Sequence, residues 1–160
     1  MKSFWSGDIF REFVDGVLRR EFPKSNGVTR SWYANGQLES EGTLIHGRMD
    51  GVVREWHPNG VLKKEETRLR GELHGLVRKW NSKGELLGEY EMKNGRGIMF
   101  NSREDGTVES KIEVFGDGCM HGTDYAVSNE KPLETFLWNG KPVSRKKFIA
   151  CLEQLRQEGD

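Results

Sequence analysis

The sequence predicts a mainly β protein: a single elongated antiparallel sheet of about six tandem β-hairpin repeats, finished by a C-terminal capping α-helix. Three observations predict it. A block of roughly 20 to 25 residues recurs along the chain. Asn-Gly and Asp-Gly dipeptides fall at the same place in successive blocks. Apolar and polar residues alternate on either side of those dipeptides.

The block is clearest in three stretches that follow one another without a gap: GVTRSWYANGQLESEGTLIHGRMD from Gly27, GVVREWHPNGVLKKEETRLRGELH from Gly51 and GLVRKWNSKGELLGEYEMKNG from Gly75. Weaker copies open at Gly7, Gly97 and Gly122. The array is therefore assigned to residues 1–143, with units starting near 7, 27, 51, 75, 97 and 122. Asp15-Gly16, Asn35-Gly36, Asn59-Gly60 and Asp105-Gly106 tolerate positive φ, so each unit reads as strand, tight turn, strand. Lys83-Gly84 takes the same place in its unit. Second glycine pairs, Gly47 to Gly51, Gly71 to Gly75 and Gly118 to Gly122, mark return turns from one hairpin to the next.

The turns imply a register. If Asn35-Gly36 is a two-residue loop, Arg30 faces Glu41 and Trp32 faces Glu39. The same rule pairs Arg54 with Glu65, Arg78 with Glu89, Glu12 with Arg19 and Phe13 with Leu18. A longer loop with a bulge at the Gly would shift every pair. Each opposite-charge pair adds only about 0.2–1 kcal/mol, so these pairs specify register more than stability. Alternation then places Val28, Arg30 and Trp32, with their copies Val52, Arg54, Trp56 and Leu76, Arg78, Trp80, on one face. The other face is expected to carry Tyr33, Leu38, Val53, Leu62, Val77 and Leu86, with Phe13, Leu18, Met99, Val108 and Ile112. With an apolar stripe on each side, the sheet must curl around one stripe or cover it.

The carboxyl end supplies a cover. Residues 144–158 read as an amphipathic helix, with Ser144 as N-cap, Phe148, Ile149, Leu152 and Leu155 on one face and Gly159 at its end. Such a helix is expected to shield one sheet edge, with Phe4, Trp5 and Phe22 of the first unit capping the other.

Composition bounds the function. Lys plus Arg and Asp plus Glu each number 25, so no broad positive field draws nucleic acid. No stretch approaches the ~20 apolar residues of a membrane span, and the amino terminus lacks an export pattern, so a soluble, cytoplasmic protein is expected. Cys119 and Cys151 stand apart and are expected as reduced thiols. His74 and His121 share one repeat position, which suits turn residues better than metal ligands. No nucleophile, P-loop or zinc motif is present, and no enzyme activity, cofactor or metal is expected.

The run G-x-x-x-x-W-x-x-N-G-x-L, an acidic stretch and then G-x-x-[DH]-G resemble the MORN repeat, in the bacterial variant found in small proteins described as antitoxin candidates. The resemblance is strong over Gly27 to Gly95 and partial over Gly7 to Arg20 and Gly97 to His121. It implies stacked hairpins in a single twisted sheet with a binding or scaffold role. Where the usual variant has a second aromatic, this chain has His57 and Asn81, and Ser102 replaces the central aromatic of its unit.

The candidate partner-binding residues are Arg30, Trp32, Tyr33, Arg54, Trp56, His57, Arg78 and Trp80, because Trp, Tyr and Arg dominate binding hot spots. The same residues could equally serve to hold a thin sheet together, with arginines stacked over the rings. The expected partner is another protein, of the toxin or effector kind if the chain is a masking antitoxin or immunity protein. A structural scaffold is the alternative, membrane lipids are not expected, and pairing of two copies through sheet edges stays open.

Overall fold

The computed structural model describes residues 1–116, 119–124, 133–138 and 141–157. Its strands are β1 (Lys2–Ser6), β2 (Ile9–Val14), β3 (Val17–Pro23), β4 (Gly27–Trp32), β5 (Leu38–Ile45), β6 (Arg48–Met49), β7 (Gly51–Trp56), β8 (Leu62–Leu69), β9 (Glu72–Trp80), β10 (Leu86–Lys93), β11 (Arg96–Ser102), β12 (Val108–Gly116), β13 (Cys119–Asp124), β14 (Leu133–Trp138) and β15 (Lys141–Pro142). One helix, α1 (Arg145–Gln157), follows. All 15 strands belong to one sheet and lie in chain order, with β6 paired to β5 beside that path. Every neighbour pair among the described residues is antiparallel, so the predicted array of consecutive hairpins is what forms. The sheet is not closed.

Two kinds of turn alternate. Return turns at His46-Gly47, Arg70-Gly71 and Asn94-Gly95 have positive φ at both residues, the type I′ pattern that matches strand twist. Asp15-Gly16 is of the same kind. The turns at Gly36, Gly60, Gly84 and Gly106 differ from the two-residue loop expected of them. Gly36 N donates to Tyr33 O and Tyr33 N donates to Gln37 O, giving a three-residue loop with Gly36 left-handed at φ 84°. The longer loop slips the strands by one residue, so Trp32 pairs with Leu38 rather than with Glu39. A bulge at Glu39 then cancels the slip, which is why Arg30 still faces Glu41 as expected. Units three and four repeat the correction, with Trp56 opposite Leu62 and Trp80 opposite Leu86, while Arg54 faces Glu65 and Arg78 faces Glu89. In the first unit Phe13 faces Leu18 as expected, but Glu12 faces Arg20, because the shift between those pairs leaves Arg19 without a partner.

The face assignment changes for five residues: Phe13, two positions from Arg11 on β2, and its partner Leu18 lie on the arginine face, and so do three leucines. Cross-strand partners share a face, so Leu38, Leu62 and Leu86 lie with the tryptophans and not on the opposite face, where alternation across a two-residue loop would put them. The opposite face holds the core. Val77 and Met92 are 0 % and 2 % exposed, Tyr90 joins them, and Leu73, Met99, Phe100 and Val114 pack around the three. The row Gly42, Val53, Glu66, Val77, Tyr90 leads into this cluster. Gly42 is part of it because a Cβ there would meet Met49 Sδ and Val53 Cγ2 at 3.2 Å.

At the ends, β1 adds an edge strand before the first hairpin, with Trp5 against Phe10 and Phe22 and Phe4 stacked on Phe13. Ser144 caps α1, accepting from Lys147 N at 3.3 Å. Phe148, 4 % exposed, packs its ring 5.2 Å from Phe136 of β14, while Ile149 is exposed. The helix thus covers the last strands rather than the main core. Several expectations lie outside the described residues: Gly118 in its return turn, Gly159, and the side chains of Leu18's counterpart Val108 and of Cys119, His121, Cys151, Leu152 and Leu155.

Candidate protein-binding face

The face opposite the core is open, and its side chains fall into three rows. In the central row, the register places Arg11, Glu21, Arg30, Glu41, Arg54, Glu65, Arg78 and Glu89 side by side on β2, β3, β4, β5, β7, β8, β9 and β10. At about 4.8 Å between strands the row runs for roughly 34 Å. Arg30, Arg54 and Arg78 share this face as expected, and the structure inserts a glutamate between each pair of arginines, because each hairpin contributes one of each.

Geometry within the row is regular. Nε of Arg11, Arg30, Arg54 and Arg78 donates to Oε2 of Glu21, Glu41, Glu65 and Glu89 at 2.7, 2.7, 2.8 and 2.6 Å. The guanidinium groups therefore turn to carboxylates. Between hairpins the contacts are longer: Arg30 Nη1 to Glu21 and Arg78 Nη1 to Glu65 are both 3.9 Å. The side chains of these pairs are 17 to 46 % exposed, and each pair is worth about 0–1 kcal/mol.

An aliphatic row lies on one side of the charges. Val28, Val52 and Leu76 are 42 %, 43 % and 44 % exposed, with Thr43 and Thr67 as the partners of Val28 and Val52. Ile45 and Leu69 extend it outward at 46 % and 44 %. On the other side, Trp32, Trp56 and Trp80 alternate with Leu38, Leu62 and Leu86; the tryptophans are half-buried.

The remaining two candidates are spent on the array itself. Tyr33 Oη donates to Trp56 O at 2.8 Å, and His57 Nε2 lies 2.9 Å from Trp80 O, so equivalent side chains tie each loop to the next unit. Burial pushes the Tyr33 hydroxyl above its ordinary pKa, helped by Glu39 and Glu55. Asn35 and Asn59 make a parallel line of bonds, each Nδ2 donating to the carbonyl of Pro58 or Ser82. At the return-turn end, Asn26 and Asp50 receive the backbone N–H of His46 and Arg70, and His74 Nδ1 lies 2.9 Å from Asn94 Oδ1. His74 was expected to be a turn residue; it lies instead within β9, and only its ring reaches the return turn at Asn94.

Reading the sequence for aromatics and arginines missed the glutamates Glu21, Glu41, Glu65 and Glu89 and the first arginine, Arg11, as members of this surface. The signal was present in the opposite-charge pairs, which announce register within a hairpin but not continuity between hairpins. Among the described residues, no group of three or more His, Cys, Asp or Glu side chains could hold a metal, and no helix is long and apolar enough to cross a membrane.

No curated protein matches the chain. Over residues 25–46 and 49–68, the second and third hairpin units, it matches the family model described as the MORN repeat variant.

Proposed function

We propose that the chain is a non-catalytic repeat module that binds another protein through its open face. The observation that carries this reading is the row of aliphatic side chains left more than two-fifths exposed beside an ordered charge row and three tryptophans. Interfaces combine such parts: an apolar, aromatic-rich centre supplies affinity, and arranged charges supply orientation. Masking of a toxic partner, as in an antitoxin or immunity protein, is the finer form of the proposal.

Affinity purification from source cells tests it, with wild type beside a Trp32→Ala, Trp56→Ala, Trp80→Ala variant and a Val28→Ser, Val52→Ser, Leu76→Ser variant. Circular dichroism first shows which variants fold; the second set changes only exposed positions and should keep its structure. Loss of one stoichiometric partner from the folded variants supports the reading. Retention of every captured protein by them overturns it. A toxic partner neutralised by co-expression would support masking, whereas several components of one assembly would favour a scaffold.

A further inference from the structure

We infer that the open face docks a second copy of this chain, face to face about a two-fold axis parallel to the strands. The inference rests on the reading of that face as a protein-binding surface and names its occupant. A two-fold interface brings one patch against itself, so the patch must be self-complementary. The central row meets that demand. It alternates in sign across eight strands, from Arg11 at one end to Glu89 at the other, so the two ends carry opposite charges. An axis along the strands reverses strand order while keeping each row over its own copy. Reversal sets Arg11 against Glu89, Glu21 against Arg78, Arg30 against Glu65 and Glu41 against Arg54: every position meets its opposite. An axis across the strands would instead stack Arg on Arg and Glu on Glu.

The other rows follow the same operation. Each flanking row falls on the same row of the other copy, with Val28 opposite Thr67, Val52 opposite Thr43, Trp32 opposite Leu62 and Trp56 opposite Leu38, which buries apolar surface that the single sheet leaves wet. Aligned sheets cross at about 30°, so overlap is best at the centre of the row. There Glu41 and Arg54 stand side by side on β5 and β7, yet each bonds away from the other, Glu41 to Arg30 and Arg54 to Glu65. The tight pairs use Glu41 Oε2 and Arg54 Nε, which leaves Glu41 Oε1 and the Arg54 Nη donors for the facing copy. Burying charges is costly even when paired, so the apolar rows supply the affinity and the ladder fixes the orientation.

Sedimentation velocity on the full chain tests this with Glu41→Arg, Arg54→Glu and their equimolar mixture, after circular dichroism on each. Wild type is expected at the mass of two chains. Each variant alone should fall to the mass of one, because like charges meet twice at the axis. In the mixture the two substituted positions face each other with opposite charge, and the two-chain mass should return. Val52→Glu, at an exposed site outside the ladder, should also be a single chain. A wild type that stays a single chain at its highest soluble concentration overturns the inference, as does a dimer that survives both variants, or a mixture of folded variants that stays monomeric. In the first case, capture of a different protein that is lost with the Val28, Val52 and Leu76 substitutions would leave the protein-binding reading standing.

Discussion

Glu66 lies directly between Val53 and Val77 in one cross-strand row, its carboxylate 3 % exposed, with Arg68 Nε 2.6 Å from Oε1 and Lys64 Nζ 2.5 Å from Oε2. The Lys64 contact is a close ion pair outside hydrogen-bonding alignment. Burial pushes the carboxyl up, but Lys64 and Arg68 outweigh it and hold the group below the ordinary glutamate range. A depressed folded value means that the contribution is present above the unfolded pKa and lost as pH falls through the folded one. Glu66→Gln should therefore cost about 1–3 kcal/mol at neutral pH and weaken the acid dependence of stability. Thermal melts of both proteins across the acid range check this; parallel curves would show that Glu66 is not the linked group.

Gly36 has open space where a Cβ would stand, so Gly36→Ala tests backbone strain alone. With φ at 84°, the expected loss is about 1–2 kcal/mol in urea unfolding. Gly84 closes the equivalent loop two units away. The double variant should be additive to within about 0.5 kcal/mol, since the two loops do not touch and meet only the loop between them, at Pro58 and Asn59.

Tyr33→Phe keeps the ring and removes only the bond from Oη to Trp56 O. Stability should fall by about 0.5–1.5 kcal/mol, with partner capture unchanged if the hydroxyl serves the array alone. Loss of capture without loss of stability would reverse that assignment.

Asp50 accepts the N–H of Arg70, a residue held at φ 53° in its return turn. Asp50→Ala should cost about 0.5–1 kcal/mol. Asp50→Asn should recover most of it, because Asn26 makes the equivalent bond to His46 one unit earlier. Equal losses in the two variants, read in denaturant melts, would point to charge rather than to the turn bond.

Much of this fold is legible in the repeat. Arg30 against Glu41, and its two copies, follow from the turn dipeptides although the loop is one residue longer than those dipeptides suggest. The compensating bulge is invisible in the pattern because the bulged residues Glu39, Lys63 and Leu87 share no residue type. Leu38, Leu62 and Leu86 reveal the slip only once paired. Between hairpins the register shifts again: Leu44 pairs with Met49, but Glu41 with Arg54, a slip of two residues across Gly51. An even slip keeps every side chain on its face, so this shift, unlike the one-residue slip at Leu38, Leu62 and Leu86, leaves the faces as the alternation has them.

What the sequence determined by itself is the local part: the hairpin period, the turn sites, the alternation of side chains and the capped terminal helix. Each rests on backbone preferences and two- or four-residue periodicities that need no distant contact. The tertiary structure decided which face is buried and which rows run unbroken. Both faces carry apolar residues, and only packing across units, with Val77, Tyr90 and Met92 closing on Leu73, Met99 and Val114, makes one of them the core. That choice leaves the eight alternating charges of Arg11 to Glu89 in the open, a row no single hairpin contains because each contributes only two of its members.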